Sequence, residues 1–112
     1  MVVYHPNAED ELAVLKASQA SEFTAVLTAV DKLRHLGPRL SFPHQSGVRG
    51  KEGRGLRELR PRQGRSRWRP LYAQVTDTTF VILAIAPEAK IDERAFNRAV
   101  RAAQQRRSRI EL

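Results

Sequence analysis

Taken only as a pattern of hydrophobic and polar positions, the chain changes rhythm several times. Val2-Val3-Tyr4-His5 is a short β-branched and aromatic run closed by Pro6, which predicts a first strand at a sheet edge. Asn7 is placed to cap a helix whose first turn carries Glu9, Asp10 and Glu11, and Leu12 and Leu15 continue it to about Gln19. A second helix starts near Ser21. Its Phe23, Val26, Leu27, Val30 and Leu33 recur at the spacing of one helical face, and Gly37-Pro38 stops it. Arg39–Gly55 has no period; it holds Pro43, Gly47, Gly50, Gly53 and Gly55, and predicts a long loop that is either mobile or ordered by a ligand.

Two extended runs follow, Leu56–Arg62 and Ser66–Val75, on either side of a turn-forming Gln63-Gly64, and they predict a β-hairpin. Leu56 and Leu59 have opposite parity, so the first run needs a bulge or a mixed face. Thr76-Asp77-Thr78 turns the chain into Thr79–Pro87, which is apolar at nearly every position and therefore suits a central strand covered on both faces. Asp92 is a candidate N-cap, with Ile91 against Phe96 as a hydrophobic staple. Phe96, Ala99, Val100 and Ala103 give the inner face of a last helix from about Glu93 to Arg109. The predicted order is β-α-α-β-β-β-α. This is a compact α+β domain over residues 1–112, an antiparallel meander to which the first strand adds, packed by an N-terminal helical hairpin and a C-terminal helix.

Composition sharpens this picture mainly through charge. The 112 residues carry a net charge of +8, distributed unevenly. Residues 1–48 hold four Lys or Arg against five Asp or Glu, and residues 49–112 hold sixteen against seven. Basic charge on this scale draws a protein to nucleic acid, an anionic membrane surface or an acidic protein. The chain has no cysteine, which excludes disulfides and thiolate zinc sites. No metal constellation, phosphate-cradling glycine loop or nucleophile triad is present in the spacings. The start of the chain lacks the apolar core of a signal peptide, and no apolar run approaches the ~18 residues of a membrane span, so a cytoplasmic location without membrane contact is expected.

The basic half is densest in the hairpin. Arg57, Arg60, Arg62, Arg65, Arg67 and Arg69 fall within thirteen positions, with Trp68 and Tyr72 among them. Guanidinium groups at this density repel one another unless an anion sits among them, and a nucleic-acid backbone fits best. Trp68 and Tyr72 share strand parity, so they point to one face, where they either stack on a base or pack in the core. Glu58 accompanies the arginines in the first run.

The run Gly55–Tyr72, GLRELRPRQGRSRWRPLY, resembles the core signature of the RelE/ParE toxin superfamily in its phage-derived, HigB-like branch. The resembling pieces are Leu59-Arg60-Pro61, then Arg69 and Tyr72 three residues apart, then the apolar strand Phe80–Ala86, with the Leu36-Gly37-Pro38 stop and the basic last helix in order. They span about residue 8 to residue 107. The resemblance implies the toxin of a type II toxin–antitoxin system, a metal-independent, cofactor-free mRNA endoribonuclease, either ribosome-associated or acting on free mRNA. It is held inactive in a hetero-oligomer by a cognate antitoxin, often of helix-turn-helix type. In such enzymes the ribose 2′-OH attacks the adjacent phosphate while basic side chains neutralise the developing charge.

Carried over residue by residue, the resemblance makes Arg69 the catalytic arginine and Tyr72 its aromatic companion. Arg60, Arg62 and Arg67 surround the scissile phosphate, Arg57, Arg65 and Trp68 extend the RNA-binding surface, and Glu58 orients an arginine or serves as base. After the central strand, where relatives carry a Lys-Lys pair or another basic or histidine-containing group, this chain reads Ala86-Pro87-Glu88-Ala89-Lys90, which leaves Lys90 as the cation there. That departure keeps open a ParE-like alternative, inhibition of DNA gyrase without RNA cleavage, and beside it a plain nucleic-acid-binding module.

Overall fold

The computed structural model describes residues 1–110, so Glu111 and Leu112 of the expected domain lie outside it. Five strands form one mixed sheet: β1 (Val2–Tyr4), β2 (Gln45–Gly47), β3 (Arg57–Leu59), β4 (Trp68–Thr76) and β5 (Thr79–Pro87). Their order is β1-β5-β4-β3-β2, antiparallel throughout except that β1 runs parallel to β5. Helices α1 (Pro6–Ser18) and α2 (Ala20–Leu36) cover one face, and α3 (Glu93–Ser108) covers the other.

The helix signals act where the sequence places them, with local substitutions. Pro6 starts α1, where a missing N–H costs nothing, and the His5 ring rather than Asn7 caps it, accepting from the Asn7 backbone N–H at 3.1 Å. Gly37 ends α2 at φ 52°, a conformation that glycine adopts without strain. Asp92 caps α3 by accepting from the Ala95 N–H at 3.0 Å. Val26, Val30 and Leu33 of the α2 stripe are buried, together with Ala25 and Ala29, while Leu27 lies at the exposed margin. Ile91 is 54% exposed, so it contributes little as a staple against Phe96.

Strand β5 is central and covered on both faces, as its apolar run requires. Phe80, Ile82 and Ile85 face α1 and α2, whereas Val81, Leu83, Ala84 and Ala86 face α3. Two consecutive residues share the α3 side because the ladder skips Leu83: Leu71 pairs with Ala84 and Tyr72 with Ile82. Beyond the end of β1, β5 has no strand partner on that side, and side chains take its place. The Ile85 N–H donates to Glu11 at 2.9 Å, and Arg106 donates to the Leu83 carbonyl at 2.6 Å while pairing with Glu11 at 2.9 Å. An α1 carboxylate and an α3 guanidinium thus satisfy backbone groups that would otherwise be orphaned.

Three expectations change. The Arg39–Gly55 segment contains β2, whose Gln-Ser-Gly sequence has little strand preference of its own and is ordered by the free edge of β3. Its second half is pinned by α3: Gln104 donates to the carbonyls of Glu52 and Arg54, both at 2.8 Å, and Arg107 donates to the Arg54 carbonyl at 3.2 Å. The first hairpin strand shrinks to Arg57–Leu59, with Leu56 in the α3-side core and Leu59 in the other, which is the mixed face their parity required. The connection is not a two-residue turn at Gln63-Gly64. It runs from Arg60 to Arg67, with a tight turn at Pro61–Gly64 in which Arg62 and Gln63 both take positive φ (55° and 58°). A left-handed non-glycine residue costs about 1–2 kcal/mol. Glu22 of α2 offsets this by accepting from Arg62 at 2.9 Å and from the Ser66 hydroxyl at 2.6 Å.

Candidate functional site

The register of β3 and β4 sorts the candidates by face. Glu58 pairs with Leu71, and Arg69 lies two residues before Leu71, so both project on the α3 side. Arg57 pairs with Tyr72 on the opposite side, where Tyr72 is 3% exposed and its ring centroid lies 6.0 Å from that of Phe80. The structure therefore separates Tyr72 and Arg57 from Glu58 and Arg69 by the thickness of the sheet. Burial pushes the Tyr72 hydroxyl up to about 12, against the pull of Arg57, so it holds its proton near neutrality. Arg57 spends its Nε–H on Gln45 at 2.6 Å.

Arg69 is the most enclosed charge of the cluster, at 4% exposure. Its Nη1 donates to the carbonyls of Ser66 (2.5 Å) and Trp68 (2.9 Å), and its Nη2 donates to the Gly64 carbonyl (3.1 Å) and to Glu88 (2.7 Å). Only Nε–H remains, and the Glu58 carboxylate lies 3.9 Å from that nitrogen. Burial lowers the Arg69 pKa, and the two carboxylates raise it in return. Arg69 thus holds the β3–β4 connection, β4 and the exit of β5 together. In this arrangement both terminal nitrogens are committed, and neither can turn to a phosphate without giving up a partner.

Arg60 is the contrasting case. Its Nε donates to the Pro43 carbonyl at 3.1 Å, and its guanidinium carbon lies 5.0 Å from the centroid of the Phe42 ring. It also rests against Gly64, where a Cβ would come within 2.4 Å of Nη2. Held from three sides, its two terminal nitrogens have no hydrogen-bond partner among the described residues, the fork geometry that a phosphate takes two bonds at a time. Gly64 is the shared point of the cluster, because its carbonyl binds Arg69 and its bare α-carbon admits Arg60.

Glu58 is half-buried and accepts from the Ser46 hydroxyl at 3.2 Å. Burial raises its pKa, with Arg69, the Ser46 bond and Arg60 opposing the shift and Glu88 adding to it. A carboxyl raised in this way and flanked by guanidinium is suited to taking a proton from a hydroxyl. Arg65 and Arg67 lie exposed on the connection rather than on a strand, and Arg62 is spent on Glu22 and on the Ser21 carbonyl at 3.2 Å. Trp68 is half-buried against the α1–α2 core, its indole N–H 3.4 Å from Gln19. Lys90 is exposed in the turn after β5.

The sequence reading did not assign Glu88, Ser46 or Glu22 to the site. Ser46 and Glu22 carry no local signal, since they reach it only through β2 pairing and α2 packing. Glu88 did have a signal: it is an acid where the resemblance expects a base. Among the described residues no group of three His, Asp or Glu is arranged to hold a metal ion, and no helix is long and apolar enough to cross a membrane.

Comparison with known proteins places this geometry in context. The family described as phage-derived protein Gp49-like matches residues 11–108. No curated protein matches the sequence. Among solved structures, the YoeB–YefM complex from Staphylococcus aureus contains a chain that superposes with a TM-score of 0.58 at 12% identity, covering 76% of this chain and 92% of that one. A second, described as the heterotetrameric YoeB–YefM toxin–antitoxin complex from the same organism, gives 0.57 at 12% identity over 75% and 91%. At that identity the likeness is one of fold.

Proposed function

We propose that this chain, which belongs to the phage-derived Gp49-like family of RelE/HigB-type toxins, is the toxin of a type II toxin–antitoxin pair and cleaves mRNA on the ribosome without a metal. The observation that carries this reading is Arg60, whose two terminal nitrogens are unpartnered and which rests against Gly64, the residue whose carbonyl binds Arg69. Glu58, half-buried with its pKa raised by burial, lies 3.9 Å from the Arg69 Nε. Arg60 and Glu58 both stand in the half of the chain where sixteen basic residues face seven acidic ones.

In this mechanism the RNA phosphate lies across the Arg60 fork. Glu58 takes the proton of the adjacent ribose 2′-OH, whose oxygen attacks phosphorus. The bond to the 5′-oxygen breaks, leaving a 2′,3′-cyclic phosphate and a 5′-hydroxyl protonated by water. Arg60 stabilises the extra negative charge of the pentacoordinate state, a contribution of about 100-fold or more for a well-placed donor. Arg69 acts as a positioning residue that fixes the connection and turns one edge of its guanidinium toward Glu58. Exposed Arg65 and Arg67, with Lys90, supply the wider field that holds the strand, and Trp68 and Tyr72 are core residues in this reading.

A cognate antitoxin, of helix-turn-helix type, is the expected partner, and the YoeB–YefM structures, toxin–antitoxin complexes of the same fold, support a hetero-oligomer. One observation favours the gyrase-inhibitor alternative: Glu88 neutralises Arg69 at the position where a basic group is expected. The two readings part on mapping mRNA 5′ ends by primer extension after brief induction without antitoxin, with Arg60→Ala and Glu58→Gln in parallel. New in-frame ends that vanish in both variants support cleavage. Growth arrest without new ends overturns it in favour of the non-cleaving toxin.

A further inference from the structure

A cleft opens between α2 and the β3–β4 connection, and Arg60 is one of the residues that line it. Its volume is about 240 Å³, below the ~300–1,000 Å³ of drug-sized sites and enough for one planar base. Ala25, Ala29 and Pro61 contribute apolar surface, Thr24, Thr28 and Lys32 stand on the α2 side, and His44, Arg60 and Arg62 on the other. The local acid is already satisfied: both Glu22 oxygens are engaged, one by Arg62 and one by Ser66. Exposed Lys32 and the free end of Arg60 are therefore the cations that an incoming group meets. The Thr24 and Thr28 hydroxyls donate back to the carbonyls of Ala20 and Thr24, so they present oxygens as acceptors for an exocyclic amine.

We propose that this cleft is a nucleotide subsite: it takes one unstacked base of a single-stranded RNA, with that nucleotide's phosphate held between Lys32 and Arg60. An apolar surface rimmed by acceptors suits a nucleobase, whereas bare inorganic phosphate would use only the cations. Because Arg60 belongs both to this cleft and to the proposed scissile-phosphate site, the base held here is a close neighbour of the cleaved bond. The subsite thereby deepens the ribonuclease reading and supplies base selectivity that a guanidinium contact to phosphate lacks.

Titration of the ¹⁵N-labelled protein with each of the four nucleoside 5′-monophosphates, and separately with inorganic phosphate, tests this directly. The expected result is saturable shifts of the Thr24, Thr28 and Lys32 amides with the mononucleotides, at least tenfold tighter than with phosphate. Lys32→Glu should weaken them about tenfold, and Thr28→Trp, which fills the cleft from an exposed helix position, should abolish them with an unchanged Tm. Equal affinity for phosphate and mononucleotide overturns the base subsite, as does a Thr28→Trp variant that loses antitoxin binding and keeps nucleotide binding. Mononucleotide binding in a protein that makes no RNA cuts keeps the subsite and sinks the ribonuclease reading, so the two fail separately.

Discussion

Arg69 and Arg60 lie on either side of Gly64 and do opposite things with the same functional group. Arg69 is sealed in and gives four of its five N–H groups to three carbonyls and a carboxylate. Arg60, half-buried, is held by a carbonyl and a ring but keeps its terminal nitrogens free. A buried guanidinium must be fully paired to exist in a low-dielectric interior, and that pairing removes it from ligand chemistry. A guanidinium pinned at its base and open at its tip is already organised for a phosphate. Arg106 belongs with Arg69 in this comparison: with Glu11 it closes the open side of the β5 bulge. Resemblance by spacing singles out Arg69, whereas availability singles out Arg60.

The most damaging way to break this contrast is Arg69→Ala. It orphans carbonyls and leaves Glu58 and Glu88 without their cation, so the loss of stability should be about 3–5 kcal/mol, read from urea unfolding. Loss of toxicity in that variant would accompany loss of the fold. Arg60→Ala, by contrast, should unfold at nearly the wild-type midpoint while cleaving about 100-fold more slowly.

Arg106→Leu comes next, at about 1–3 kcal/mol for the unmet Leu83 carbonyl and the unpaired Glu11, with cleavage rate per folded molecule unchanged. An altered cleavage site in that variant would end the division between bracing and binding arginines.

Glu58→Gln sharpens the comparison through pH. The folded state raises the Glu58 pKa, so folding takes up a proton between the unfolded value and the raised one. The carboxyl therefore adds stability that is fully present below its unfolded pKa and is lost as pH rises through the folded pKa. The ionised form of Glu58 is thus a cost to the folded state, and Glu58→Gln should keep or slightly raise the Tm at pH above that pKa while abolishing cleavage. In the wild type, cleavage should climb as pH rises through the elevated Glu58 pKa and then level off. A Glu58→Gln enzyme that retains this profile assigns the base elsewhere.

The smallest effect is expected at the exposed arginines. Arg65→Ala and Arg67→Ala should each reduce the salt dependence of RNA binding by about 0.7 in the log–log slope, with no change in Tm.

Much of the architecture was legible in the sequence because it rests on local or one-dimensional signals. The α2 stripe, the Gly37 stop, the Asp92 cap and the doubly covered β5 each follow from spacing, a backbone preference or a hydrophobic run. The charge asymmetry and the set of arginines were equally plain. Tertiary structure alone decided what each charge does. Gln45–Gly47 becomes a strand only because β3 offers an edge. Arg62 and Gln63 enter the left-handed region only because Glu22, forty residues upstream of Arg62, holds the loop. Tyr72 is buried on the face opposite Glu58 and Arg69 because its register with Arg57 turns it there. Whether an arginine binds a ligand or its own chain depends on which acceptors the fold brings within 3 Å of it, and composition and spacing do not carry that distance.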